Sequence, residues 1–355
     1  MTLLPVERIL GSIPEGPAPD AASIGSSREG RPIVGYALGG GSTRISLIGG
    51  CHADEPVGPA MLEILVRFLA SLDRDQALLK AYRWFVVPHV NPDGDYRNAA
   101  WSSHALDSQD HLGATDCAYD PALYVEHVVR ELPGDDVEFG FPRDEVDEMA
   151  RPENRAVAEF LATSGPFHLH GTFHGMGFAP GPWFLIESDW IERTVSMRHR
   201  LRQQVREIGY PLFDIDRQGE KGFHRIDEGF STRPDSKAMA VHFRALGDED
   251  TAALFRPSSM EYVRSLGGDP LTLVSEMPLF LVPDPSSGSS GPVFKVGTQG
   301  KRQLHSDLRR LVEGSSIEKA RSEIALLGVR GMPIRDQMRL QLAFLNEAIA
   351  CIAAR

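Results

Sequence analysis

The chain has 355 residues, of which 42% are hydrophobic, and it carries a formal net charge of −12. This length and apolar content allow the large core of one α/β enzyme with insertions. The negative charge argues against nucleic acid or an anionic membrane as the main partner, because both select basic surfaces.

The N-terminus and the hydropathy of the chain show no sign of export or membrane insertion. Residues 1–16 lack the basic segment, apolar core and cleavage site of a signal peptide. No apolar run approaches the roughly 18 residues needed to cross a bilayer. The cysteines, Cys51, Cys117 and Cys351, form no CxxC pair, so neither a disulfide framework nor a cysteine zinc site is predicted. We expect a cytoplasmic protein with no membrane partner and leave its oligomeric state open.

Strand-like and helix-like segments alternate along the chain. Buried strands are predicted at 44–50, 82–90, 167–174 and 271–275, and helices at 56–69, 152–163 and 189–208. A turn is predicted at 91–94 and a loop at 175–181. This alternation predicts the α/β class, with a mixed, largely parallel twisted sheet and helices on both faces. In such sheets the functional site lies at the carboxyl ends of the strands, where His52, Asn91, His174 and Glu276 are all expected.

His52 and Glu55 are the first candidate metal ligands. They follow an apolar run that ends in glycines, RISLIGG at 44–50, and precede the predicted helix 56–69. A histidine and a carboxylate three residues apart at a strand exit can bind one metal ion. Zinc accepts imidazole nitrogen and carboxylate oxygen, and a catalytic site keeps one open position beside three protein ligands.

A later predicted strand carries three histidines at even spacing, His168, His170 and His174, which share one face of that strand. His174 comes last and is the preferred third ligand for a metal held by His52 and Glu55. His170 is the competing choice, although it lies four residues earlier and therefore deeper along the strand. Polar packing under the site is the alternative for His168 and His170.

Glu276 follows the predicted strand at 271–275. A metal-bound water needs a base that is not itself a ligand. A carboxylate on a neighbouring strand could take that proton and pass it to the leaving amine.

Several of these stretches together resemble the zinc carboxypeptidase family. Residues 24–33 (IGSSREGRPI) are similar to its "G-x-S-x-x-G-R-x-I" segment, and 49–56 (GGCHADEP) to its "G-x-H-x-x-E" zinc motif. Residues 91–94 match its "N-P-D-G" segment, 167–174 resemble the strand of its third zinc ligand, and 272–276 the strand of its catalytic glutamate. The resemblance implies one bound Zn²⁺, with His52, Glu55 and His174 as ligands. It also implies that Glu276 is the general base and acid.

The resemblance also has departures that affect specificity. Where the family carries Asn-Arg in "D-x-N-R-N-F-P", this chain has Glu138 and Phe139, which cannot bind a substrate carboxylate. Arg97 resembles the arginine that polarises the scissile carbonyl in some members. Asn98, Arg264 and His170 are weaker substrate-binding candidates. Substitutes for the missing carboxylate clamp could come from polar loops, at Arg225, Arg233 or Arg256.

The predicted function is zinc-dependent hydrolysis of peptide or amide bonds, as in a metallocarboxypeptidase. The alternative is a zinc amidase or deacylase acting on N-acyl amino acids or modified peptides, similar to succinylglutamate desuccinylase and aspartoacylase. A catalytically silent binding module is disfavoured, because buried charge without a function is costly. We expect residues 1–282 to form the catalytic domain, with an insertion at about 102–142. Residues 283–355 are expected to be a linker and a helical extension packed on the same domain.

Overall fold

Apolar, strand-forming runs build the sheet of this protein. The computed structural model describes residues 3–11, 21–106, 117–133, 136–144, 146–283 and 298–354. Within them ten strands form one sheet: β1 Ala22–Ser26, β2 Pro32–Leu38, β3 Thr43–Gly49, β4 Tyr82–Val87, β5 Leu169–Ala179, β6 Trp183–Ile186, β7 Arg225–Asp227, β8 Phe230–Thr232, β9 Leu271–Leu281 and β10 Arg330–Gly331.

The strand order is β1-β2-β4-β3-β5-β9-β6-β8-β7, with β10 paired to β9. The central strands β4, β3, β5 and β9 run parallel, as do β6 and β8. The pairs β1–β2, β2–β4, β6–β9, β7–β8 and β9–β10 are antiparallel. The predicted α/β class with a mixed, largely parallel sheet is confirmed.

The helices of the described residues cover both faces of this sheet. They are α1 Val6–Gly11, α2 Val57–Ala70, α3 Ala77–Ala81, α4 Pro92–Leu106, α5 Pro121–His127, α6 Pro152–Ala162, α7 Val195–Ile208, α8 Ser236–Ala245, α9 Glu249–Leu254, α10 Ser259–Ser265, α11 Thr298–Val312, α12 Ile317–Leu326 and α13 Ile334–Ala353. None of them is long and apolar enough to span a bilayer.

Successive side chains of β3 point to opposite faces of the sheet and pack into two separate core layers. Leu47 packs into a large cluster with residues of α2 and α13, whereas Ile48 packs into a second cluster with residues of α6. Side chains of successive strand residues point to opposite faces, so a strand buried on both faces reads as a continuous apolar run. The helices on both faces follow from this burial.

Several predicted boundaries are wrong, including the end of the strand predicted at 82–90, which stops at Val87, and the start of the helix predicted at 189–208, which begins at Val195. The strand predicted at 167–174 continues as β5 to Ala179, so 175–181 is not a loop, and the strand predicted at 271–275 continues as β9 to Leu281. The two strands stabilise each other, since they pair in parallel as far as Ala179 and Leu281. Residues 91–94 are not a turn but the start of α4. Asn91 caps it by accepting a hydrogen bond from the Gly94 N–H at 3.0 Å, and Pro92 is well suited to a first helical position.

The predicted insertion and extension are partly outside the described residues. Of the stretch 102–142, residues 107–116 and 134–135 are not described, and the rest includes the end of α4 and all of α5. The predicted linker 283–292 lies outside the described residues except for Pro283. The helical stripe of α13, including Leu345 and Ile349, is buried in the same cluster as α2 and β9.

Candidate metal centre

Sheet register brings the candidate ligands together. β3 ends at Gly49, which pairs with Phe173 of β5, so the loop after β3 emerges beside His174. His174 in turn pairs with Glu276 of β9. His52 follows the end of β3 as predicted, but His174 and Glu276 lie in the middle of long strands and not past their ends.

Two glycines set the course of the loop that carries His52 and Glu55. Gly50 has a φ of +71°, in the left-handed region that favours glycine. Gly58, in the first turn of α2, packs so closely on β5 that a Cβ atom there would lie 2.2 Å from the carbonyl oxygen of Phe173. The helix after the loop therefore sits directly against the strand that carries His174.

His52, Glu55 and His174 converge on one point. The His52 Nδ1 atom lies 2.8 Å from Glu55 Oε1, and His174 Nδ1 lies 2.9 Å from Glu55 Oε2. The two Nδ1 atoms are 3.2 Å apart. One donor atom from each residue thus lies within 4.8 Å of the others, close enough to share a metal ion. Two imidazoles and one carboxylate form a ligand set typical of catalytic zinc, so the residues present fit this ion.

The charges at this point also fit a divalent cation. Burial alone would lower the pKa of His52, but the Glu55 carboxylate raises it to about 10. Burial would lower the pKa of His174 as well, yet Glu138 and Glu55 raise it well above its usual range. Burial would raise the pKa of Glu55, and the two imidazoles instead hold it below its usual range. The Glu55 carboxylate thus lies between two imidazole nitrogens, an arrangement that one divalent cation could occupy with release of any protons held there.

The other nitrogen of His174 faces a second carboxylate that the sequence analysis did not place there. His174 Nε2 lies 3.2 Å from Glu138 Oε2, with both side chains less than a tenth exposed. The two atoms form a buried ion pair, and neither has a hydrogen-bond partner. Cys51 lies in the same group, and burial, followed by Glu138, raises the pKa of its thiol to about 12. Cys51 is therefore a protonated neighbour.

Two cavities adjoin the metal ligands, and His52 lines both. The first has a volume of about 220 Å³ and extends across the sheet from His174. It is lined by His52, Pro133, Asp136, Glu138, Phe139, His174, Leu185, Arg217, Lys221, Phe223, Pro234, Met239, Phe255, Met260, Val274 and Glu276. The second, of about 200 Å³, is lined by His52, Ala53, Asp54, Glu55, Arg130, Glu131 and Gly177.

Of the remaining predicted site residues, His170 and Arg264 line neither cavity. The His170 ring is fully buried between two hydroxyl groups, with Nδ1 2.7 Å from Ser46 Oγ and Nε2 3.0 Å from Ser259 Oγ. Arg264 donates to Asp189 Oδ2 at 2.7 Å and lies 3.4 Å from Glu187. These contacts give both residues a place in packing and ion pairing.

Arg97 and Asn98 lie on α4, beside the second cavity. Arg97 donates through Nη2 to Glu131 Oε1 at 3.1 Å, so it reaches that cavity only through Glu131. The Asn98 side chain is buried and donates to the carbonyl oxygens of Ala53 and Val129 at 2.9 Å. Asn98 therefore ties the metal-ligand loop to the segment that follows α5.

A network around Asp54 was not predicted. Tyr124 Oη donates to Asp54 Oδ2 at 2.8 Å, and Arg130 Nε donates to the same oxygen at 3.0 Å. Asp54 stands between the two ligands His52 and Glu55 in sequence, which was the only signal available for it. Arg130 and Glu138 both come from the segment that was predicted as an insertion.

The three arginines proposed as a substitute carboxylate clamp are each paired with an acid. Arg225 binds Asp214, Arg233 binds Glu187 and Arg256 binds Asp147. None of the three lines either cavity beside the metal ligands.

The chain resembles known proteins in part of its sequence and in its fold. Residues 19–180 match the model of the zinc carboxypeptidase family. None of the curated proteins matches the chain. A solved candidate carboxypeptidase from Burkholderia mallei is 14% identical, with 98% of this chain and 67% of that chain covered and a TM-score of 0.50. A metallo-carboxypeptidase from Burkholderia cenocepacia is 15% identical, with coverages of 98% and 68% and a TM-score of 0.47. At such identity the first of these likenesses shows the fold alone.

Proposed function

We propose that this chain, a zinc metallopeptidase whose residues 19–180 match the zinc carboxypeptidase family, hydrolyses peptide or closely related amide bonds at the centre described above. His52, Glu55 and His174 are the metal ligands in this proposal. The observation that carries it is the convergence of their three donor atoms within 4.8 Å. A zinc ion held there would polarise the scissile carbonyl and lower the pKa of a bound water.

Glu276 is the proposed general base and acid. It lines the first cavity together with His52 and His174, and it lies opposite His174 in the neighbouring strand. A carboxylate beside the ligands, and not among them, can take a proton from the attacking water and deliver it to the leaving amine. The leaving group would then occupy the first cavity.

Two guanidinium groups are candidates for stabilising the negative charge that develops on the carbonyl oxygen. Arg97 is the predicted one, and it would act from its position beside Glu131. Arg130 lines the second cavity with His52 and Glu55. Removing one such donor typically lowers kcat by about 10² to 10³-fold. Comparing Arg97→Gln with Arg130→Gln assigns the role to whichever variant loses kcat on that scale with zinc content unchanged.

The test of the function is peptide hydrolysis by the zinc-loaded protein, with products identified by mass spectrometry. Glu276→Gln is expected to lower kcat by about 10² to 10⁴-fold, the range of general acid–base catalysis, while one zinc per chain is retained. Glu249→Gln is a matched control, because Glu249 and its ion-pair partner Arg244 are both exposed. Unchanged turnover in the Glu276 variant would overturn the assignment.

A second candidate is a zinc amidase or deacylase, and one observation favours it. Glu138 and Phe139 line the cavity beside the ligands, and neither can bind the carboxylate of a C-terminal amino acid. A panel of N-acyl amino acids assayed beside C-terminally free peptides separates the two functions. Release of the acyl group without release of amino acids from peptides would favour the deacylase.

A further inference from the structure

We infer that the loop at 217–223 forms an anion-binding wall of the first cavity. This wall selects substrates whose leaving group is apolar near the scissile bond and carries a carboxylate farther away. The inference rests on the proposed function and names its substrate class. It starts from the first cavity, which changes in chemical character from the metal ligands to its far end.

The position beside the metal ligands is unsuited to a substrate carboxylate. Glu138 lies 3.2 Å from His174 Nε2, and both side chains are less than a tenth exposed. Phe139 packs edge-to-face on Phe255 at 5.5 Å between ring centroids. An anion placed here would meet a buried negative charge and an aromatic ring, so like-charge repulsion and desolvation both oppose it.

The middle of the cavity is apolar. Across the sheet its floor passes from Glu276 and Val274 of β9 to Leu185 of β6, which pairs with Val274. Further apolar side chains complete the lining, namely Phe223, Pro234, Met239, Phe255 and Met260. A leaving group that fills this part of the cavity must therefore present an aromatic or aliphatic surface.

The far wall is cationic. Within the lining formed by the described residues, the two lysine and arginine side chains are Arg217 and Lys221, from the same loop. The Arg217 guanidinium lies 4.6 Å from the Phe223 ring centroid and contacts Glu220 through Nε at 3.2 Å. The loop is closed by the Gly219 N–H, which donates to the Phe223 carbonyl oxygen at 2.9 Å. The cations are thus presented by a defined turn.

The loop that carries this wall packs against β6, because the Phe223 ring lies 5.0 Å from the Trp183 ring of that strand. β5, which carries His174, and β6, which carries Leu185, are separated by β9, so the two strands lie about 10 Å apart. One extended residue spans at most about 3.6 Å. An anion that meets Arg217 or Lys221 therefore belongs to a group set back from the scissile amide by more than one residue length, not to the α-carboxylate next to it.

Other arginines do not offer an equal alternative. Arg225, Arg233 and Arg256 lie outside the cavity lining, whereas Arg217, although it pairs with Glu220, is part of it. A peptide with an aromatic residue after the scissile bond and a carboxylate two residues farther on matches the whole cavity, from apolar floor to cationic wall.

Product-like peptides test the inference directly. We would measure binding of Phe-Gly-Gly, Phe-Gly-Gly amide, phenylalanine and phenylalanine amide to the zinc-loaded protein by calorimetry. Phe-Gly-Gly is expected to bind about tenfold more tightly than its amide, as expected of one charge-assisted hydrogen bond near the surface. Phenylalanine is expected to show no such preference over its amide, because its carboxylate meets Glu138 and Phe139.

Variants of the two cationic residues show which side chains cause the preference for Phe-Gly-Gly over its amide. Arg217→Gln and Lys221→Gln should each reduce it, and the double variant should abolish it, while Arg225→Gln is the matched control from the adjoining strand β7. Lys221→Gln alone suffices if the arginine variant does not fold. A preference that persists in the double variant, or one confined to phenylalanine, would overturn the inference.

Hydrolysis of matched substrates separates this inference from the proposed function. An acyl group joined to Phe-Gly-Gly and to its amide forms the substrate pair. If both substrates are cleaved at equal rates and both products bind equally, the anion-binding wall is contradicted and the proposed hydrolase function still holds. If Phe-Gly-Gly binds more tightly than its amide but no peptide is cleaved, the proposed hydrolase function is contradicted and the anion-binding wall still holds.

Discussion

At the scale of single residues, the candidate metal centre contains two carboxylates, Glu55 and Glu138, which contact different imidazole nitrogens. Glu55 faces both imidazole Nδ1 atoms, whereas Glu138 faces the Nε2 atom of His174. A carboxylate on the far nitrogen of a metal-binding histidine selects the tautomer and orientation of the ring. We therefore assign Glu138 as a positioning residue for His174. It stands where the resembling family carries the asparagine of its Asn-Arg pair.

This assignment predicts that zinc affinity depends on the Glu138 carboxylate. Glu138→Ala is expected to weaken zinc binding by about 10 to 100-fold, because the ring loses its partner and the His174 imidazole loses a stabilising charge. Glu138→Gln retains an acceptor oxygen and should restore part of the loss. Competition with a chromophoric chelator measures both. Wild-type zinc affinity in the alanine variant would exclude the positioning role.

At the scale of elements, the centre is built where α2 meets β5 and the exit of β3. The side chains of His52 and Glu55 are in place because the loop between Gly50 and Gly58 is short and both of its ends are constrained. The strands extend beyond their predicted ends because β5 and β9 pair with each other along their whole length. Pairing of this kind is a property of two distant segments and is not visible in either one alone.

The contact of α2 with β5 predicts the result of a small substitution. Gly58→Ala would place a Cβ atom 2.2 Å from the Phe173 carbonyl oxygen. The helix must shift, so we expect the free energy of unfolding to fall by about 3 kcal/mol and zinc affinity to fall with it. Gly40→Ala is the control, because nothing lies within 4 Å of its added methyl group. Urea denaturation of both variants checks this, and equal stability of the two would contradict it.

At the scale of the whole molecule, burial of polar groups makes folding depend on pH. His170 is enclosed between strands and α10, and this burial lowers its pKa to about 3. The unfolded chain, with a histidine pKa of about 6.5, binds more protons than the folded chain between those values. The stability associated with this residue is therefore fully present above about pH 6.5 and declines as the pH falls toward 3.

The variant His170→Gln isolates this contribution. Between pH 6 and pH 4 the wild-type protein should lose about 2 kcal/mol more unfolding free energy than the variant, because the variant has no imidazole to protonate on unfolding. Denaturant titrations at a series of pH values give both curves. Parallel curves would show that the ring is protonated in the folded protein.

The sequence by itself determined the fold class and predicted the ligands of the candidate metal centre. Apolar runs and their alternation with helical segments predicted the sheet, because buried residues recur in the sequence with the period of the strand or helix that carries them. His52 and Glu55 were recognisable because both ligands lie three residues apart in one loop. His174 and Glu276 were expected from their places at the ends of predicted strands, and the family resemblance supported both.

Only the tertiary structure decided which side chains surround that centre. It directed Glu138 to His174, enclosed His170 between hydroxyl groups, and paired Arg264 with Asp189. It also placed Arg217 and Lys221 on the far wall of the cavity. These contacts join residues that are distant in sequence, so they arise from strand register and loop closure, which no local pattern of residues specifies.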